Sequence, residues 1–137
     1  MGAEQTRRLV KNYLDRFNAS DWDGMAALVG EEVVHDINQG ERQIGREAFH
    51  RFLVENSRYY DEKLGDIVVM TDESGLRAAA EVTVRGRYIA TAPGQPEASD
   101  QSYSLGAGLF FEIDDGAIGR VTTCYNMADW QRQVGDG

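Results

Sequence analysis

Cysteine occurs once, at Cys124, histidine twice, at His35 and His50, and 14 lysines and arginines face 23 acidic residues. A lone cysteine forms no internal disulfide, and two histidines with one thiol offer no closely spaced set for zinc. No metal and no cofactor are therefore expected. The formal charge of −9 works against gripping a phosphate backbone, which needs clustered cations, so no nucleic-acid partner is expected either. No apolar run approaches the roughly 20 residues that cross a bilayer. The opening Met1-Gly2-Ala3-Glu4-Gln5-Thr6-Arg7-Arg8 leads into an amphipathic pattern without a signal-like apolar stretch. The expectation is a cytoplasmic chain with no membrane partner. Repeats, low-complexity tracts and interdomain linkers are also missing, and 137 residues suit a single domain over 1–137 with one core.

What is present is helical periodicity first and strand periodicity afterwards. Leu9, Val10, Tyr13, Leu14 and Phe17 form one stripe of a first helix whose other side carries Arg7, Arg8, Lys11, Asp15 and Arg16. Ser20-Asp21-Trp22-Asp23 reads as a second helix start with Ser20 as N-cap, and Gly30 as its stop. Glu32 to Asn38 is a short β-prone run, Gln39-Gly40-Glu41 a turn, and Arg42-Gln43-Ile44 extended again. A third helix follows Gly45, with Phe49, Phe52, Leu53, Asn56 and Tyr60 on its buried face.

Beyond it the period becomes two. Asp66 to Thr71, Leu76 to Ala92, Gln101 to Ile113 and Ala117 to Tyr125 read as four strands separated by turn-forming residues, which implies an antiparallel meander. Helices placed before strands argue for an α+β fold rather than a doubly wound parallel sheet. Leu76, Ala78, Ala80, Val82, Val84 and Tyr88 share one parity, as do Tyr103, Leu105, Ala107, Leu109, Phe111 and Ile113, and these faces would close over the helices. Small residues such as Ala78, Ala80, Gly106 and Gly108 would let the sheet bend around a cavity.

Polar groups among apolar neighbours are the candidates for chemistry. Tyr13 lies inside the first helix's stripe, where its hydroxyl needs either a backbone partner or a ligand. Asp36 shares parity with Val34 and would point inward if Val34 does, where desolvation would raise its pKa into the range of a general base; an exposed strand-end aspartate is the plainer alternative. His35 would point to the opposite face on strict alternation, and a bulge would be needed to bring it beside Asp36. Tyr125 and Trp130 could rim a pocket mouth, while Cys124 and His50 carry no pattern beyond packing and solvation.

The run Asn12-Tyr13-Leu14-Asp15-Arg16-Phe17-Asn18-Ala19-Ser20-Asp21-Trp22-Asp23-Gly24, then Val34-His35-Asp36, then Gly45 ahead of a helix with Phe49 and Phe52, resembles the ketosteroid isomerases and SnoaL-like polyketide cyclases of the nuclear transport factor 2-like superfamily. The resemblance implies a cone-shaped fold of three helices on a curved, mainly antiparallel sheet, a homodimer, and a small apolar carbonyl-containing ligand. It implies proton abstraction beside a carbonyl, with Asp36 as general base, Tyr13 as donor to the developing oxyanion and His35 assisting. Tyr88, Leu109, Phe110, Tyr125 and Trp130 are the substrate-binding residues it suggests. Leu109 stands where the family places a second, protonated acid, and leucine cannot donate. That departure leaves two functions in view: an isomerase or cyclase type of enzyme, and a non-catalytic ligand-binding or dimerisation module of the same fold.

Overall fold

The computed structural model describes residues 2–38 and 40–135, so Gln39 of the expected turn lies outside the described residues. The chain runs α1 (Ala3–Asn18), α2 (Trp22–Ala26), β1 (Val29–Ile37), β2 (Arg42–Ile44), α3 (Arg46–Asn56), β3 (Tyr60–Thr71), β4 (Arg77–Tyr88), β5 (Gln101–Asp114), β6 (Ala117–Tyr125) and α4 (Met127–Gly135). The strands form one sheet in the order β2-β1-β6-β5-β4-β3. All neighbours pair antiparallel except β1 and β6, which run parallel. Helices α1 and α3 pack on the sheet through β3 and β1, and α4 folds back on β5. The α+β expectation and the four-strand meander are both borne out.

Local chemistry explains where the elements begin. Ser20 is not the cap of α2: it sits at φ 56°, and the capping oxygen is Asp21 Oδ1, which accepts from Gly24 N at 2.9 Å. Arg16 Nη1 donates to the other Asp21 oxygen at 2.6 Å and so ties the end of α1 to the start of α2. Strand β3 begins at Tyr60 rather than Asp66, because the helix stops at Asn56 and the alternation Tyr60, Glu62, Leu64 against Asp61, Lys63 is already strand-like. Met127–Gly135 form a helix, α4, for which the sequence analysis proposes no element.

Two devices bend and seat the sheet. The β3–β4 register shifts between Gly65 and Val68, a bulge that curls the edge over α1. Asn18, the last residue of α1, clasps this place from the inside: its Nδ2 donates to Leu64 O at 2.9 Å and its Oδ1 accepts from Leu64 N at 2.7 Å. At the other end of α1, Thr6 Oγ1 donates to Gly75 O at 2.6 Å. Helix and curled edge are thus fixed at both ends, and the core of Val10, Leu14, Met25, Val33, Phe49, Phe111, Ile118 and Val121 fills the space between.

The β1–β6 register also shifts, between Val29 and Val34, yet Val29, Val33 and His35 keep one parity, and Val34, expected to carry Asp36 inward, has the other. Val33 and His35 are inward and buried, so Asp36 and Val34 belong to the outer face. Leu76 is likewise not part of the inner wall, being 53% exposed before β4 begins. No described helix is long and apolar enough to cross a membrane.

Asn18→Ala should lower unfolding free energy by about 2 kcal/mol, since it removes two part-buried hydrogen bonds worth about 1 kcal/mol each. Urea denaturation checks this, and a loss below about 0.5 kcal/mol would show that the clasp does not hold the edge. Asn18→Asp, which keeps the acceptor and loses the donor, should fall in between.

Candidate active site

Between the helices and the concave face lies a cavity of about 340 Å³, within the range of small-molecule sites. Phe17, Trp22 and Met25 close it from the α1–α2 side, Phe52 and Leu53 from α3, Val82, Val84, Leu105, Ala107 and Leu109 from the sheet, and Met127 and Trp130 from α4. Against these apolar walls stand a few polar side chains, chiefly Tyr13, His35, Glu62 and Tyr125.

Tyr13 comes from the buried stripe of α1 and is 4% exposed, its ring edge-on to Phe111 at 5.3 Å and tilted against Phe49 at 6.4 Å. Its hydroxyl makes no hydrogen bond among the described residues, so the expected backbone partner is absent and the oxygen is left to the cavity. Burial pushes the phenol pKa upward, so the proton stays on oxygen at any ordinary pH.

His35 is 5% exposed and lies between Phe49 and Phe52, ring centroids 5.2 and 5.0 Å away and both edge-on. Nδ1 is sealed without a partner, which leaves Nε2 as the nitrogen on the cavity side. Desolvation lowers the imidazole pKa to about 4, against the opposing pull of the Asp36 charge on the far side of the strand. The ring is therefore neutral at neutral pH, with a lone pair or an N–H to offer.

Asp36, expected to be the inward carboxylate, instead faces outward. Arg42 Nε and Nη2 grip it in a bidentate pair at 2.7 and 3.0 Å, and Thr122 Oγ1 donates to it at 3.1 Å. Those hydrogen bonds, Arg42 foremost, hold its carboxyl below the usual range. It is one rung of an ion ladder across the outer face, in which Arg120 joins Asp36 to Glu112 and Glu112 accepts from Arg77 at 2.9 Å. Such a carboxylate is poorly suited to serve as a base inside the cavity, because the strand separates the two.

Of the expected binding residues, Leu109, Tyr125 and Trp130 line the cavity and two do not. Tyr88 is fully buried behind the wall, its hydroxyl donating to Pro96 O at 2.6 Å and accepting from Ala92 N at 2.9 Å. Phe110 is on the outer face and 47% exposed, as its alternation with Leu109 and Phe111 requires. The polar wall residue that sequence reasoning missed is Glu62. Its signal was the alternation that places it between Tyr60 and Leu64, hidden because Tyr60 was assigned to the preceding helix. Burial raises the Glu62 carboxyl pKa, with a hydrogen bond from Tyr103 pulling the other way. Among the described residues no cluster of histidine, cysteine and carboxylate groups could hold a metal.

His35 should remain neutral down to about pH 4 in the folded protein, against about 6.5 when unfolded. The unfolded chain then binds more protons over this window, so stability from this residue is intact above about 6.5 and is lost as pH falls toward about 4. Imidazole NMR titration checks the first statement; a His35 signal that titrates near 6.5 would mean the ring is not desolvated.

Comparison with known proteins agrees with this architecture. The family model described as SnoaL-like domain matches residues 10–121. A candidate polyketide cyclase of Pseudomonas putida KT2440 is 50% identical, covering 94% of this chain and 97% of its own, with a TM-score of 0.93. A candidate ketosteroid isomerase of Kribbella flavida DSM 17836 is 29% identical over 90% of this chain and 79% of its own, with a TM-score of 0.64. At 13% identity, an NTF2-like protein of Burkholderia xenovorans LB400 shares the fold over 98% of both chains, with a TM-score of 0.77. No curated protein matches significantly. The helix-backed curved sheet, its enclosed cavity and the match over most of the sequence place this chain in the SnoaL-like domain family, among proteins of the polyketide cyclase and isomerase kind.

Proposed function

We propose that the protein catalyses proton transfer at a carbon flanked by carbonyl groups, the step shared by isomerisation and by aldol closure of a polyketide chain. The observation that supports it is the pairing of Tyr13 and His35, two buried polar groups that line one cavity. His35 Nε2 takes the proton from carbon, the electron pair moves onto the carbonyl oxygen, and the Tyr13 O–H, already in place and uncharged, donates to that oxygen. For ring closure the enolate carbon attacks a second carbonyl of the same molecule, and the alkoxide so formed recovers the proton from His35. This assigns to His35 the role expected of Asp36.

The basicity of His35 restricts the substrate. Each pK unit between base and carbon acid adds about 1.4 kcal/mol to the cost of transfer, so a base held near 4 suits a C–H between two carbonyls far better than one beside a single ketone. Repeating 1,3-dicarbonyls are the defining chemistry of polyketides, in keeping with the name of the Pseudomonas relative. The expected homodimer would have an apolar surface at hand on the outer sheet face, where Val68, Met70 and Phe110 are exposed.

The test is deuterium exchange at the central carbon of 1-phenylbutane-1,3-dione, followed by NMR in D₂O. Wild-type protein should accelerate exchange over buffer, Tyr13→Phe should lose on the order of 10²–10³ of the rate, and His35→Ala should lose the acceleration. Asp36→Asn should exchange within about twofold of wild type, because its partners are on the other face. Absence of any acceleration by folded wild-type protein would leave a ligand holder instead of an enzyme.

A further inference from the structure

Glu62 and Tyr103 form an enclosed titratable pair that the proton transfer does not use. Glu62 faces the cavity from β3. Its Oε2 accepts from the Tyr103 hydroxyl at 2.5 Å, while Oε1 has no partner among the described residues. In register, Glu62 lies opposite Gly86 of β4 and Gly86 opposite Tyr103 of β5. The Tyr103 ring spans the middle strand only because that residue is glycine: a Cβ at Gly86 would stand 2.5 Å from the ring. The pair is thus built by three strands rather than by the chance approach of two long side chains.

The charges around it decide what it binds. Arg85 and Arg87 belong to the opposite parity and are held outside, Arg85 by Asp66 and Arg87 by Asp61 and Asp100. The groups that face Glu62 from each packed element are Tyr60 of β3, Tyr103 of β5, Tyr125 of β6 and the uncharged Trp130 of α4, with the Asp61 carboxylate next along the chain. No cation neutralises the carboxyl, and burial with the neighbouring Asp61 charge favours its neutral form against the hydrogen bond that Tyr103 donates. A negatively charged ligand group would meet Asp61 and the acid itself. An ammonium would have to ionise a buried carboxyl whose charge only the Tyr103 hydrogen bond supports. A neutral carbonyl oxygen needs only a donor, and a neutral carboxyl supplies one.

We infer that Glu62, steadied by Tyr103, is a subsite for a second, neutral carbonyl oxygen at the end of the ligand remote from Tyr13, donating to it through Oε1–H. The inference deepens the proposed function and rests on its single shared cavity. It also sets the ligand's shape. Tyr103 and Phe111, the β5 residues beside Glu62 and Tyr13 respectively, are eight positions apart, so the two groups enter the cavity from different stretches of the sheet. One molecule touching both groups carries oxygen at two places, as a linear or ring-closed polyketone does.

The experiment uses androst-4-ene-3,17-dione, a rigid dicarbonyl probe that does not ionise, so that any pH dependence belongs to the protein. Affinity is measured by calorimetry from pH 5 to 9, alongside ¹³C-carboxyl NMR of Glu62, and dicarbonyl exchange is read on the same samples. Binding should weaken at least tenfold as pH rises through the Glu62 titration seen by NMR. Glu62→Gln, whose amide still donates, should bind well and lose the pH dependence, whereas Glu62→Leu should bind weakly throughout. The subsite is overturned if wild-type affinity is flat with pH, if the glutamine variant is as weak as the leucine one, or if the dione does not bind below the Glu62 titration. Exchange lost with pH-dependent binding kept would sink only the catalytic reading, and the converse only this one.

Discussion

Everything in the site follows from which side of β1 is wet. A strand delivers alternate side chains to opposite faces, and in β1 the side that carries Val29, Val33 and His35 goes in while Asp36 goes out. Two adjacent residues thereby acquire opposite electrostatics. The imidazole loses its solvent and stays uncharged; the carboxylate gains Arg42 and Thr122 and stays ionised. The ion ladder outside is a reason for the parity to persist, since a slip by one residue would bury a carboxylate stripped of Arg42 and expose a ring packed on Phe49 and Phe52.

Desolvation acts in the same direction on Tyr13, His35 and Glu62: it favours the neutral form of the phenol, the imidazole and the carboxyl alike. On the proposed reading, neutral donors and acceptors in the cavity select neutral ligands and reserve their strongest interactions for charge that develops during reaction. The formal charge of −9 reinforces this by discouraging anionic ligands at longer range. Hence the apolar wall is part of the chemistry as well as of the core.

The architecture was legible in the sequence because it is written in periodicity: the 3.6-residue stripe of α1 and the alternation of β4 to β6 admit few other readings. Tyr13 was legible for the same reason, as a polar group inside an unambiguous stripe. His35 and Asp36 were not, because Val33 and Val34 are equally apolar neighbours and alternation alone does not say which of the two faces the core. Tyr60 at helical spacing from Asn56 masked the true start of β3, and with it Glu62. Phe110 and Tyr88 show a further limit: an aromatic residue in the right segment can be outside the wall or spent on a backbone carbonyl, and only the packing tells which.

Leu109 invites the conclusion that an acid has been lost from the cavity. An acid is present, but it sits on β3, not β5, and is aimed at a different place. Two donors at one oxygen share the charge of a single enolate; two donors at opposite ends cannot, because the developing charge is confined to the atoms nearest the departing proton. In the proposed reaction, the stabilisation forgone at the reacting oxygen must then come from the substrate, by delocalising the enolate over a second carbonyl. A weakly basic histidine makes the same demand from the side of the proton acceptor. The substituted leucine, the depressed imidazole and the remote carboxyl therefore converge on one requirement, a ligand whose own conjugated carbonyls carry much of the charge that a more heavily armed site would have to hold.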